Sequence, residues 1–307
     1  MELLEKLKGE YRLGFEKAFG GQTLALYYID EIARILVYGC DEREILMQKC
    51  ATLALDTFMR RGDGEGCGRA DEALASVGEA GRCASIAYFC KAIAAFLKEK
   101  GEPLTENELL QSAVSEETEL GSTVAYVRNA VSDEAFLRFT GAIKDASVSY
   151  TASFAAACEE VYYGRVRYCI LPYETSEDGT LSGFMKMMRK YELYPKCICS
   201  VRGERTSTKF VLLSRQPSEV IEVNGAKRYL RVTVDSPNPR TFVGMCVASE
   251  ALGLKLVKNE SVPVSWDEGR YGSVFTFDVS EAETEPFLLY LMLSVPECSE
   301  RSVYVEI

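Results

Sequence analysis

The hydrophobic pattern changes character twice along the chain. In the first third, apolar positions recur every three or four residues. "LALYYIDEIARILVYG", "REILMQKCATLALDTFMRR" and "EALASVGEAGRCASIAYFCKAIAAFLKEKG" follow that spacing, which predicts helices. The Gly-rich "RGDGEGCGRAD" interrupts them as a loop. The third helix is expected to stop at Gly101, and Thr105 with Glu108 forms a capping box that opens a short last helix.

From Ser122 onward, short apolar runs alternate with helical stretches. "STVAYV", "ASVSY" and "VRYCILPY" read as strands. "SDEAFLRFTG", with Ser132 as its N-cap, "ASFAAACEEVYYGR" and "LSGFMKMMRKY" read as helices. "YPKCICSVRG" and "TSTKFVLLSR" read as two more strands. Near-continuous apolar strands between helices imply a mainly parallel sheet covered by helices. The last third reads strand "AKRYLRVTVDS", helix "NPRTFVGMCVASEALGL", strands "KLVKNESVPVSW" and "YGSVFTFDVS", helix "AETEPFLLYLMLSVPEC" and strand "RSVYVEI". Gly269 and Gly272 are expected in the turn between the two middle strands. This βαββαβ order is the ferredoxin-like arrangement. The fold class expected is therefore α+β and multidomain: helical over 1–115, α/β over 120–216 and ferredoxin-like over 226–307.

Composition narrows the chemistry. The 307 residues are 47% apolar and 26% charged, as in globular proteins. A net charge of -11 argues against a nucleic-acid partner. No apolar run reaches membrane-spanning length, and "MELLEKLKGE" lacks a signal-peptide core, so a cytoplasmic protein is expected. There is no His, which removes Ser-His and Cys-His pairs and every imidazole ligand. The eleven Cys are scattered through apolar stretches, as reduced buried thiols would be. Cys197 and Cys199 alternate along one strand and are expected on one sheet face. Without a second Cys pair at zinc spacing, no metal and no cofactor is expected.

One segment invites a functional reading. In "CILPYETSEDGT" an apolar strand runs through Pro172 into Glu174, Thr175, Ser176, Glu177 and Asp178, closed by Gly179. Ligands of parallel sheets sit outside the carboxyl ends of strands, where this loop is expected. The same side chains would also serve as caps for a helix beginning near Leu181. Lys186, Arg189 and Lys190 are read as a solvated helix face, and Trp266 as a packing anchor.

The stretch from Phe154 through Val161, Gly164, Pro172, Glu174 and Ser176 to Gly179 resembles the prephenate dehydratase core. The closing βαββαβ unit resembles the ACT regulatory domain that follows that core, with Glu260, Ser261 and Pro263 in its Glu-Ser-Arg-Pro motif. The resemblance spans roughly Ser122 to Ile307. It implies one α/β lobe of the periplasmic-binding-protein-like type and a catalytic role for Thr208. It implies ligand contacts by Glu174, Thr175, Ser176, Ser132, Lys209 and Phe210. In the ACT-like unit it points to Arg240, Thr241, Asn259, Glu260 and Ser261.

Several positions depart from the family pattern. Lys209 replaces the Arg of Thr-Arg-Phe and loses its planar fork. "VRNAVS" has no Gly where the family's backbone approaches substrate. Arg240 stands where a Gly is usual, and Val262 replaces the Arg of Glu-Ser-Arg-Pro. Only "CICSVRGERTS" separates the outgoing segment from the return strand, while one βαβ unit needs about 30 residues. The family's second lobe is therefore expected to be absent. Three readings stand at this point: a non-catalytic binding or regulatory protein linked to aromatic amino-acid metabolism, an active prephenate dehydratase, or a structural partner subunit. The implied partners are a carboxylate-bearing small molecule and a second copy of the chain, paired through the ACT-like domain.

Overall fold

A computed structural model describes residues 78–99, 101, 103–110, 121–203, 206–235, 239–263 and 271–307. The first two helices expected, the Gly-rich loop, Gly269 and Trp266 lie outside these residues. The described elements run α1 (Gly78–Glu99), α2 (Glu106–Leu110), β1 (Thr123–Val127), α3 (Ala130–Phe139), β2 (Ser147–Thr151), α4 (Phe154–Tyr162), β3 (Tyr168–Thr175) and β4 (Gly179–Thr180). They continue α5 (Ser182–Lys190), β5 (Tyr194–Arg202), β6 (Ser207–Ser214), β7 (Lys227–Val234), α6 (Pro239–Ala251), β8 (Lys255–Pro263), β9 (Tyr271–Asp278), α7 (Glu285–Ser294) and β10 (Cys298–Glu306). The chain is thus a mixed α/β protein, and it divides into two compact units.

One unit is helical. Its described residues form α1, most of α2, α6 and α7. Helix α1 packs on both α6 and α7, burying Phe89, Cys90, Ile93 and Leu97. Helix α7 is buried over Pro286–Leu291, as expected of a helix apolar on all sides. The expected capping box opens α2: Thr105 N donates to Glu108 Oε2 at 3.0 Å, and Glu108 N to Thr105 Oγ1 at 3.3 Å.

The other unit holds ten strands in one mixed sheet, together with α3, α4 and α5. The strand order is β2-β1-β3-β6-β5-β10-β7-β9-β8, with β4 paired to β3. Strands β1, β2 and β3 run parallel, while β6 is antiparallel to β3 and β5 to β6. The return strand expected at Thr208–Ser214 is therefore β6, beside β3. Strand β10 joins β5 in parallel at Val305 and Cys197, so the sheet is continuous.

Two cores lie on the two faces of this sheet. On one, Val124, Tyr126, Ile170, Cys197, Cys199, Phe210 and Leu212 pack with Ala135 and Phe139 of α3. Cys197 and Cys199 thus share a face. On the other, Cys169, Leu171, Tyr173, Val211 and Leu213 pack with Ala157, Cys158, Met185 and Met188 of α4 and α5. Val262, Val274 and Tyr304, from β8, β9 and β10, join this second core. The sheet therefore curls around that face until its last strand, β8, meets β3 and β4. All of these apolar side chains leave water, at roughly 25 cal/mol per Å² of apolar area.

Three local expectations change. Helix α3 starts at Ala130, not at Ser132. Its cap is Asn129, whose Oδ1 accepts from Val131 N at 3.1 Å and Ser132 N at 2.9 Å. Asn competes as well as Ser for that position. Arg189 is not solvated: it is 6% exposed and pairs with Asp235 after β7. Gly272 is not in a turn but is the second described residue of β9.

Candidate functional site

Strand β3 runs further than its apolar run suggests. Glu174 and Thr175 belong to it and pair with Thr180 and Gly179 of β4. The quoted polar segment is thus a β-hairpin with a three-residue loop, Ser176 to Asp178. Gly179 follows it at φ 67°, the left-handed conformation that such a loop requires. The loop side chains serve this turn. Asp178 N donates to Thr175 Oγ1 at 2.9 Å, and Thr175 Oγ1 reaches Asp178 Oδ2 at 3.1 Å. Ser207 N donates to Ser176 Oγ at 3.1 Å, tying the loop to β6. None of them caps α5, whose N-cap is Leu181 with no side-chain cap bond.

A bulge sets the faces. Pro172 pairs with Phe210 but Glu174 with Lys209, so Tyr173 is an extra residue in β3. Pro172 has no N–H to give, and bulges are where strands accommodate that loss. Because cross-strand partners share a face, the sheet divides the expected site residues into two sets. Thr175, Thr208 and Phe210 stand on the α3 side, and Ser132 is buried on the inner side of α3. Glu174 and Lys209 stand on the α5 side with Tyr173. Lys209 Nζ reaches Glu306 Oε1 there at 2.6 Å.

On the α5 side the structure brings Glu174 and Glu260 to one cation. Lys258 Nζ lies 2.7 Å from Glu174 Oε2, 3.0 Å from Glu260 Oε1 and 2.7 Å from Thr180 Oγ1. Thr180 Oγ1 also donates to Glu260 Oε1. Burial works to lower the pKa of Lys258, and the hydrogen bonds to Glu174 and Glu260 outweigh it, so the net shift is upward. Asn259 and Ser261 alternate with these residues and are exposed on the other side of β8. Arg240 and Thr241 lie in the first turn of α6, in the helical unit, the first exposed and the second half-buried.

Sequence reasoning missed four members of this face: Thr180, Arg189, Arg231 and Lys258. Arg231, on β7, is 2% exposed, and its Nη1 lies 3.5 Å from Glu300 Oε2. Burial pushes the Tyr173 phenol up; Arg231 and Lys258 pull against it, and Glu260 and Glu174 add to it. Period-two spacing did carry a signal. Lys258 and Glu260 are two apart, as are Tyr229, Arg231 and Thr233. The arrangement as a whole is a set of paired charges, from buried Arg231 to half-buried Lys258 and Glu174, beside the buried Tyr173 phenol.

No family model matches the chain, and no curated protein does. Among solved structures, prephenate dehydratase from Streptococcus mutans is similar at 16% identity and a TM-score of 0.48, covering 60% of this chain and 98% of that one. GqqA, described as a novel type of quorum quenching acylase, is similar at 19% identity and a TM-score of 0.43, covering 60% and 95%. Prephenate dehydratase from Arthrobacter aurescens, solved with L-Phe, gives 14% and 0.42, covering 59% and 89%. At these values the likeness assigns neither activity nor ligand to this chain.

Proposed function

We propose that the chain is a non-catalytic, small-molecule-binding or regulatory protein of prephenate-dehydratase-like ancestry, linked to aromatic amino-acid metabolism. In this reading the residues from 120 to 216 are a single dehydratase-like lobe, and those from 226 to 307 an ACT-like domain that pairs two copies in the cytoplasm. The helical first third, to residue 115, is a further domain in this reading, one whose α1 packs on α6 and α7. One observation carries the loss of catalysis. Strands β5 and β6 form a direct antiparallel pair, with only residues 203–206 between Arg202 and Ser207. In the resembled family the chain leaves the lobe at that point to build the second half of a cleft. Removing a carboxylate and a hydroxyl from one ring requires a closed, dry site. A lone lobe offers an open surface on its α3 side, where Thr208 stands.

The test is a turnover assay. The full chain is expected to convert no prephenate to phenylpyruvate, followed by absorbance of the product. Turnover that Thr208→Ala abolishes would establish an active dehydratase instead. Thermal-shift screening with carboxylate-bearing small molecules separates the other two readings: stabilisation marks a binding protein, and none marks a structural subunit.

A further inference from the structure

Strand β2 closes one end of the strand order. Edges that stay free in water usually carry a charge, a proline or a bulge. Ser147–Thr151 has none of the three, and it pairs with β1 residue for residue, in a chain that is 26% charged. A net charge of -11 works against contact between copies, so an uncharged edge is where contact costs least. Val148 and Tyr150 are 36% and 53% exposed. Paired with Val124 and Tyr126, they stand on the α3 side of the sheet. An aromatic run leads outward to them there: Phe136 stacks on Tyr126 at 5.5 Å, and Tyr150 meets Tyr126 edge-on at 5.4 Å. The run ends in water, where one more strand would cover it.

The backbone says which strand fits. Ser147 N donates to Ser122 O at 3.1 Å, so Ser147 turns its amide and carbonyl toward β1. Successive residues of a strand turn theirs to opposite edges, so Val148 and Tyr150 point theirs outward. In an antiparallel pair, residues that both face the partner strand exchange both of their bonds. With a second β2 antiparallel about a two-fold axis at Ser149, Val148 faces Tyr150 of the partner subunit, and Tyr150 faces Val148 of the partner subunit. The outward amides then meet outward carbonyls on both sides. The same alignment sets a β-branched side chain against an aromatic ring and the Ser147 hydroxyl against that of Thr151, both favourable cross-strand pairs. No other two-fold register keeps outward residues opposite each other and pairs the whole strand. The edge is thus complementary to itself in backbone, side chain and charge.

We propose that β2 is a docking edge for a second copy of this chain, paired antiparallel about Ser149 so that two sheets join into one. The contact is isologous. It uses residues 147–151 and is separate from the pairing through residues 226–307 proposed above, so the two stand or fall apart. A contact of one short strand a side is smaller than a standard interface. It therefore forms as concentration rises above the range of that first pairing.

The test uses the full chain. Ser149→Cys and Ser147→Cys are each treated with oxidised glutathione and run on non-reducing gels. Across the axis Ser149 faces its own counterpart, with Cα atoms about 4.5 Å apart, within disulfide reach. Ser147 is offset from its counterpart by roughly 13 Å along the strand. A covalent dimer is expected for Ser149→Cys, and none for Ser147→Cys or the parent. Val148→Pro removes an outward N–H that β1 does not use. In sedimentation at rising concentration, the parent is expected to double in mass and Val148→Pro to stay unchanged. At the upper concentration the Tyr150 amide is expected to exchange about tenfold more slowly in the parent than in Val148→Pro, the effect of one hydrogen bond. Absent cross-linking at 149, or equal cross-linking at 147, overturns the proposal. So does a mass that fails to rise in the parent, or that rises equally in a Val148→Pro chain with unaltered circular dichroism. A smaller dimer that survives these results is the pairing through residues 226–307. A Tyr150 amide still protected in Val148→Pro means that another segment, or a partner of another kind, covers the edge, and also overturns the proposal. If Val148→Pro does not fold, the cysteine variants decide alone.

Discussion

Lys196 on β5 is the sharpest test of the interior. It is fully buried, and its ammonium donates to two backbone carbonyls, Glu219 O at 2.7 Å and Pro217 O at 3.2 Å. The nearest carboxylate, Glu219, is already committed: to Arg167 at 2.7 Å, to Ser214 Oγ at 2.8 Å and to Tyr168. Carbonyl dipoles do not neutralise an ammonium as a free carboxylate would. Burial therefore pulls the Lys196 pKa down from 10.5 to about 7, with Glu219 opposing and Arg167 assisting. Between those values the unfolded chain holds a proton that the folded chain releases. Stability from this group must then rise with pH over that window, by up to about 1.4 kcal/mol per unit. From about pH 6 to about pH 8.5 the gain integrates to about 2 kcal/mol.

Lys196→Met keeps the stem and removes the titration. It also strands two carbonyl acceptors, a cost of about 1–3 kcal/mol that does not depend on pH. The measurement is urea unfolding by far-UV circular dichroism, for both proteins at both pH values. Both values lie below the range where the raised Tyr and Cys groups ionise, so the difference between proteins isolates Lys196. Relative to the variant, the parent should gain about 2 kcal/mol on going to the higher pH. A difference constant to within about 0.5 kcal/mol would refute the reasoning and mean that the ammonium keeps its charge in the fold.

Three other outcomes follow from the same structure. Asn129→Ala removes both side-chain bonds at the start of α3 and should cost about 0.5–2 kcal/mol in chemical unfolding, with Asn129→Ser close to neutral. Gly272→Ala would place a Cβ 2.9 Å from Val234 O, a backbone atom that cannot swing aside; about 1–3 kcal/mol of destabilisation is expected by thermal unfolding. Sedimentation at micromolar concentration should show a dimer, since β8 is an edge strand with exposed Val257, and a monomer would count against the proposed pairing.

Much of the fold was legible because its signals are local. The capping box at Thr105 and Glu108 and the strand at Thr208–Ser214 depend on neighbours a few residues away. The common face of Cys197 and Cys199 follows from a period of two. What was not legible depends on closure at long range. Arg189, between Lys186 and Lys190 in sequence, read as part of a charged outer face. It is buried because the sheet brings Asp235, 46 residues further on, to meet it. Likewise "RYLRVTV" alternates polar and apolar residues, and alternation usually means one wet face and one dry. Here Leu230, Val232 and Val234 are buried, and so are Arg231 and Thr233. The period assigns residues to two faces; the curl of the sheet decides whether the polar face meets water.

The same geometry limits what a contiguous signature can do on a strand. Thr208, Lys209 and Phe210 are consecutive, so Lys209 must face away from the other two whatever surrounds them. The bulge at Tyr173 then matters more than any single side chain in the motif. Were Tyr173 regularly paired instead of bulged, Glu174 would follow the plain alternation and stand on the α3 side, opposite to Leu171 and away from β8. With the bulge, Glu174 joins Lys209 on the enclosed face, where Lys258 and Glu260 lie. A carboxylate from β3 and one from β8, 86 positions apart in the sequence (260 minus 174), thereby share one lysine. Two motifs that look like separate sites in sequence are, on this face, parts of one charged surface. Thr208, the residue that the resemblance ties to catalysis, is excluded from that surface by the same alternation.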